Sequence, residues 1–465
     1  MTTQTTSSSS EQYPTSILTQ ALPAGFVSTL VLWATWFATH LPWVGLPEDQ
    51  SIPLILTLWG LSLVWVGWRA TDKFSRVVVI GACAGMIAAL VGLLLLGSKL
   101  TQTTDATAMN SVVAKPSAPV IAIGFVAFGA VLGAICSSLG ANLPRAGSCR
   151  PMGLHTFALT TIFAGAPLLF VGGLVTSTNS GMAVPDWPNT YGTNMFLYPL
   201  GPRVAPDIFF EHSHRLFGTL FGVTGLVLLV WVLLAAKSNT GAKHVRWLTI
   251  AAFLGIVAQG ALGGVRVLMG SKDHAEDNRW LSMFHGVLAQ LVFALVVAVA
   301  VKLLPRYRTS LQETIVATAE SKKLRLLATA ALHSSILQLL LGAMYRHLRS
   351  SHVLWTHIAF AFIVAAFGLM VGLVANSMHA KEDDMRTAPM SALSPVARRL
   401  GSWIVVCVAL QFTLGWAAFL FAGRGIQAET NIQALLRTAH QANGAAMFAL
   451  LTAMFLVARR LAPKH

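Results

Sequence analysis

The feature that most limits what this chain can fold into is an apolar stretch of about 20 residues that recurs along its whole length. Crossing ~30 Å of hydrocarbon at about 1.5 Å per residue takes about 20 residues of helix. With no water to bond the backbone, a spanning segment must be a helix or part of a closed barrel. Candidate spans fall near 24–44, 52–70, 76–97, 119–140, 156–176, 212–235, 246–268, 284–303, 325–345, 354–376, 400–421 and 438–459. Hydrophobic residues make up 55% of the 465 and charged residues only 11%, a balance suited to lipid. The expected architecture is an all-α integral membrane protein of about twelve transmembrane helices: two tandem four-helix bundles preceded by an extra four-helix N-terminal region.

The opening MTTQTTSSSSEQ has no Lys or Arg and so lacks the charged start of a signal peptide. Residues 1–23 are expected as a disordered cytoplasmic tail, and 24–140 as the extra four-span region, of unknown role. PRAGSCRPMG reads as a linker to a first four-helix unit, 151–310, followed by a second, 320–465. The tryptophans of VLWATWFATHLPWVG and LTLWGLSLVWVGW suggest lipid-facing and interfacial belts. GSKLTQTTDATAMNSVVAKPSAP reads as a mobile outer loop.

Positive residues gather in alternate connections: Arg69/Lys73/Arg76, Arg145/Arg150, Lys237/Lys243/Arg246, Lys302/Arg306/Arg308/Lys322/Lys323, Lys381/Arg386/Arg398/Arg399 and Arg459/Arg460/Lys464. Such loops mark the cytoplasmic side. Both termini are therefore expected in the cytoplasm, with 177–211 outside a cell (inner, cytoplasmic) membrane. The net charge of +15 is then a topology signal and implies no nucleic-acid partner. Cys83, Cys136, Cys149 and Cys407 show neither zinc spacing nor a disulfide framework.

Internal repetition carries the functional reading. VGGLVTSTNSG, QGALGGVRV, QLLLGAMYRH and QFTLGWAAF each close one span with small residues that allow close helix approach. The span after each carries a histidine near its start: His214, His285, His357 and His440. A lone histidine on an apolar helix is usually a core residue with a hydrogen-bond partner. Four at one depth suggest two facing pairs, and paired imidazoles are axial ligands for haem iron in bundle cores. His333, in mid-span, is expected to make an ordinary core hydrogen bond. In FFEHSHRLFG, Glu211, His214 and Arg215 share a helix face while His212 points elsewhere. Glu211 is placed either to complement the helix dipole or to move protons beside an iron ligand. Arg266 and Arg346, each just after a repeat glycine, either pair with haem propionates or snorkel to the interface. Asp186 and Trp187 either cover the site or build an ordinary turn.

GGLVTSTNSGMAVPDWPNTYG followed by EHSHR, then QGALGGVRV with FHG, resembles the first half of a heme A synthase. QLLLGAMYRH with THIAF, and QFTLGW with RTAHQANGA, resemble its second half, so the resemblance covers roughly 151–465. It implies oxidation of the C8 methyl of heme O to the formyl of heme A for a terminal oxidase. It also implies substrate haem near the catalytic Glu211, His214 and His285, and a resident haem b on His357 and His440. Implied partners are heme O, a heme O synthase, terminal oxidase subunits and an electron donor that the residues do not identify; a homo-oligomer is compatible with all of this. The chain departs from many members at Val184 and Thr190, where they carry a cysteine pair, and in its extra 24–140 region. The alternative function is a bis-histidine cytochrome b for electron transfer, disfavoured because only the first unit carries a glutamate beside its histidine. A transporter would place polar residues midway across the bilayer, and a heme O synthase would need an Asp-rich magnesium motif.

Overall fold

The computed structural model describes residues 16–70, 72–103, 112–144, 151–200, 204–237, 240–270, 277–378, 391–423, 425 and 427–463. The tail before residue 16, the linker with Arg145, Cys149 and Arg150, the centre of the 97–119 loop, and Lys381, Arg386 and Lys464 lie outside the described residues. Among the described residues twelve helices are long and apolar enough to cross a membrane, and the chain is a multi-pass membrane protein. The described chain separates into two compact units, the first formed by 1–39, 46–95 and 116–157, the second by 40–45, 96–115 and 158–465.

The first unit holds α1 (Ile17–His40), α2 (Glu48–Arg69), α3 (Phe74–Leu96) and α4 (Ala118–Ala141). Helix α1 begins inside the 1–23 segment, so the expected disordered tail is corrected over residues 17–23. Buried Gln20 from that added turn donates to Asp72 at 2.7 Å, and Asp72 also pairs with Arg76 at 3.0 Å. Glycine lets α4 lie directly on α3: a methyl group on Gly85 would overlap the backbone oxygen of Gly129. The aromatic-belt expectation is corrected for Trp33, Trp36 and Trp59, which are buried. Trp59 packs between Phe125 and Phe128 of α4, with ring centroids 5.9 and 6.1 Å away. A ring in this small-residue interface fills volume that glycine leaves empty.

The second unit holds most of α5 (Leu154–Ser177), then α6 (Pro206–Ala235), α7 (Thr240–Gly270), α8 (Asp277–Leu303), the short α9 (Pro305–Ser310), α10 (Ala319–Leu348), α11 (Ser351–Ser377), α12 (Ser394–Phe421) and α13 (Asn431–Leu461). Two sets of four long helices repeat one pattern, α5–α8 and α10–α13. Within this unit α13 packs on α8, and α10 packs on α8 as well. Ser177 of α5 meets Thr438 of α13, hydroxyl to hydroxyl, at 3.3 Å. The two sets thus share one core. The expected mobile loop after α3 is partly built: β1 (Thr101–Thr103) pairs antiparallel with β2 (Val112–Ala114), and Thr101 bonds the Leu197 carbonyl at 3.3 Å.

Candidate functional site

Each repeat histidine lies within the first three turns of its helix, and each ring rests on the repeat glycine of the helix before it. A methyl group on Gly172 would meet His214 Cε1 at 3.1 Å, and one on Gly263 would meet His285 Cε1 at 3.3 Å. The second set repeats this with Gly342 and His357 at 3.0 Å, and Gly415 and His440 at 3.2 Å. A methyl group at any of the four would push the imidazole back by tenths of an ångström, so the close approach favours glycine here.

The four rings form two pairs of nearly equal geometry. His214 and His285 have centroids 6.4 Å apart at 80°, and His357 and His440 have centroids 6.3 Å apart at 79°. An imidazole binding a metal at about 2.0–2.1 Å holds it ~3 Å from the ring centre, so two rings on opposite sides of one metal stand about 6 Å apart. Both pairs fit axial ligation of a haem. Nδ1 of His285 is buried without a hydrogen bond, as are both amide atoms of Gln259 one helix away. Buried orphans of this kind mark a place where a further group belongs. Among the described residues no three His, Cys, Asp or Glu side chains gather as a metal site.

Sequence reasoning missed the glutamines that serve the second pair. Gln338 Nε2 donates to the His357 carbonyl at 3.0 Å, and Gln411 Nε2 lies 3.3 Å from His440 Nδ1. Asn443 orients Gln411 through a 2.8 Å bond. The signal was present, since Gln stands four residues before the glycine in three of the four repeats, at 259, 338 and 411. Gln259 is unpartnered because Leu288 stands where the second set has Asn443.

Glu211 is buried, and both its oxygens are engaged: Oε1 with Arg215 at 2.8 Å, Oε2 with the Val184 amide at 3.1 Å. Arg215 also donates to the carbonyls of Asp186 and Asn189 at 2.8 Å and of Val184 at 3.0 Å. The pair therefore clamps the PDWP loop onto α6. Asp186 accepts from the amides of Tyr191 and Gly192 at 2.8 and 2.7 Å, closing the turn. Trp187, the residue before a cis proline, lies against Gly264 beside the His285 contact. The loop forms a turn and sets Trp187 against α7 next to the glycine that meets His285. His212 faces away from His214, bonding Thr190 at 3.0 Å with its ring 5.4 Å from Tyr198. Val184 and Thr190 are fully buried, held by these polar contacts. Burial holds the Tyr191 phenol above its ordinary value, helped by the carboxylates of Asp207, Glu211 and Asp186.

Arg266 reaches Gly181 and acts electrostatically on Glu211, His214 and His285, which places it at the first pair. Arg346 donates to the Thr176 carbonyl and neighbours Arg349, Arg437 and Tyr345. His347, unmarked in the sequence reading, stands within range of both Arg346 and Arg266. His333 makes an ordinary bond, Nδ1 to the Thr329 carbonyl at 2.7 Å, but the expected core setting is corrected, since the side chain is exposed.

The profile of a family described as cytochrome oxidase assembly protein matches residues 155–390, which contain three of the four histidines, Glu211 and the PDWP loop. The chain belongs to that family. Its similar members include a heme A synthase of Rhodopseudomonas palustris (strain BisB18), 29% identical over 255 residues, covering 48% of this chain and 66% of the relative. A heme A synthase of Geobacillus kaustophilus (strain HTA426) is 31% identical over 121 residues, 26% of this chain and 36% of the relative. One from Rhodopseudomonas palustris (strain HaA2) is 27% identical over 346 residues, 64% of this chain and 88% of the relative. The chain spans 66% and 36% of the first two relatives' lengths.

Proposed function

We propose that this chain is a heme A synthase, oxidising the C8 methyl of heme O to the formyl group of heme A for a terminal oxidase. The observation that carries the reading is the pair of matched imidazole couples, 6.4 and 6.3 Å between centroids, of which, among the described residues, only the first has a buried carboxylate beside it. His214 and His285 would hold the iron of heme O, and His357 and His440 that of a resident haem b. Haem iron supplies one-electron chemistry when bound. Arg266 and Arg346 would meet propionates through charge-assisted bonds. Trp187 and the clamped loop would exclude water from the first pair. Glu211 would accept or hold a proton beside the reacting methyl or stabilise positive charge there. A specific observation favours a second reading of this residue as a clamp, since both its oxygens already hold Arg215 and the loop. The positive loops support cytoplasmic termini, with both histidine pairs toward the outer face.

Extraction and chromatography of the haems that co-purify with the expressed chain test the function. Heme O, heme A or the alcohol between them is expected together with haem b. Haem b alone would favour the electron-transfer cytochrome.

A further inference from the structure

The extra 24–140 region supplies none of the four repeat histidines. Two of its connections nevertheless belong to the second compact unit and not to the unit of the helices they join: 40–45, which leads from α1 to α2, and 96–115, which leads from α3 to α4. The first is a tight turn, in which the amides of Val44 and Gly45 both donate to the Leu41 carbonyl at 2.8 Å. It presents Trp43, whose ring lies 5.4 Å from that of Phe210. Phe210 is buried and immediately precedes Glu211 in α6.

The second connection meets the same loop at another place. A methyl group on Gly97 would overlap the Phe196 carbonyl oxygen, so the two backbones touch. Thr101 donates its hydroxyl to the Ser98 carbonyl at 2.8 Å and lies 3.3 Å from the Leu197 carbonyl oxygen. The strand that Thr101 begins is tied back by β2 and by the Lys115 amide, which donates to the Leu100 carbonyl at 2.8 Å. Phe196 and Leu197 lead directly to Tyr198, a buried ring 5.4 Å from His212 and 5.9 Å from Tyr191. The two sets differ in how much connection has to be held. Arg349 and Ser350 alone join α10 to α11, whereas 178–205 joins α5 to α6. Ordering so long a connection costs conformational entropy residue by residue, which only contacts along it can offset. The Glu211–Arg215 clamp engages its 184–189 part, and the contacts from 96–115 engage 196–197.

We propose that the 40–45 turn and the 96–115 hairpin are braces, with Trp43, Gly97 and Thr101 as positioning residues that keep the 183–198 loop, and with it Trp187, set against Gly264 of α7 beside the first histidine pair. Two connections of the N-terminal region thereby serve the site without lending it a ligand. The use of the loop at that site rests on the heme A synthase reading, whereas the brace is a property of the loop itself.

The test uses the full chain in lipid nanodiscs, comparing the parent with Trp43→Ala, Gly97→Ala and the two combined, with an elution profile like the parent's as the check of folding. Thr101→Val, which removes only a hydroxyl, is a milder variant should the wedge at Gly97 disturb assembly. Hydrogen–deuterium exchange of peptides covering 183–198, measured before any haem is added, is expected to quicken about tenfold in the combined variant and less in each single one. Peptides of α10–α13 should exchange as in the parent. Trp43→Phe keeps a ring against Phe210 and is expected to restore slow exchange. Titration with heme O then reads the site, and the part of the uptake that His285→Ala abolishes should weaken severalfold in the combined variant. Parental exchange in folded variants, or exchange that quickens equally along the whole chain, would overturn the brace. Faster loop exchange with unaltered heme O uptake would overturn the positioning role. A parent chain whose His214 and His285 take up no heme O would overturn the functional reading and the positioning role with it, while the exchange result still decides the brace.

Discussion

At the scale of single residues, Glu211 is where two roles meet. Glu211→Gln keeps an oxygen for the Val184 amide and removes the charge, while Arg215 retains three carbonyl acceptors. The cost should stay below the ~3–5 kcal/mol of a stranded buried charge. A proton-handling role predicts a folded protein whose haem extract contains heme O or the hydroxymethyl intermediate in place of heme A. A heme A yield equal to the parent's would leave the carboxylate as a clamp. Arg215→Met should be worse for stability, by about 3–5 kcal/mol, because it strands the Glu211 carboxylate and frees the loop; thermal unfolding and proteolysis of the 183–198 segment measure it.

Tyr191 adds a pH dependence at the same scale. Its phenol is raised above the ordinary ~10 and donates to the Ala183 carbonyl at 2.5 Å. An acid whose folded pKa is raised keeps its proton longer when folded, so its contribution is complete at neutral pH and is lost as pH climbs above the ordinary value. The loop is expected to loosen only in strong alkali, with tyrosinate absorbance and protease cleavage rising together. Tyr191→Phe should remove that alkaline step. Cleavage already rising near neutral pH would contradict it.

At the scale of elements, the device is a glycine on one helix facing an imidazole on the next, repeated four times. Gly342→Ala places a methyl group 3.0 Å from His357 Cε1, tight enough that the ring must shift by tenths of an ångström. The expected outcome is a low-spin haem b spectrum that is retained but shifted, whereas His357→Ala should abolish it, because axial ligands set spin state and potential. An unshifted spectrum in both would remove the second pair as a haem site. Most of this was legible, because His and Gly recur at fixed spacing in otherwise apolar spans, where polar groups are costly. The clamp of Arg215 was not. Its acceptors are backbone carbonyls of a loop 26–31 residues away, and carbonyls carry no sequence signal.

At the scale of the whole second unit, the two sets are held by more than the 311–318 connection. Arg346 of α10 bonds the Thr176 carbonyl of α5, the Ala428 amide bonds the Ser177 carbonyl at 2.9 Å, and α13 packs on α8. A protease site inserted in 311–318 should therefore yield halves that co-elute after cleavage with their haem spectrum intact. Halves that separate in mild detergent would refute the shared core.

The sequence by itself determined that the chain crosses the membrane about twelve times, because the length of hydrocarbon and the need to satisfy every backbone group leave few alternatives. It also determined that four histidines stand near the starts of four spans, because helical rise converts spacing into height. Only the tertiary structure decided which tryptophans are core, since Trp33, Trp36 and Trp59 are buried and Trp59 packs on the rings of α4. It alone decided that Glu211 holds Arg215 and the loop, and that each repeat imidazole rests on the glycine of the helix before it. Hydropathy records whether a side chain prefers lipid or protein to water, and lipid and protein interior are alike in that respect. Which of the two an apolar residue faces is settled by packing between segments far apart in the chain.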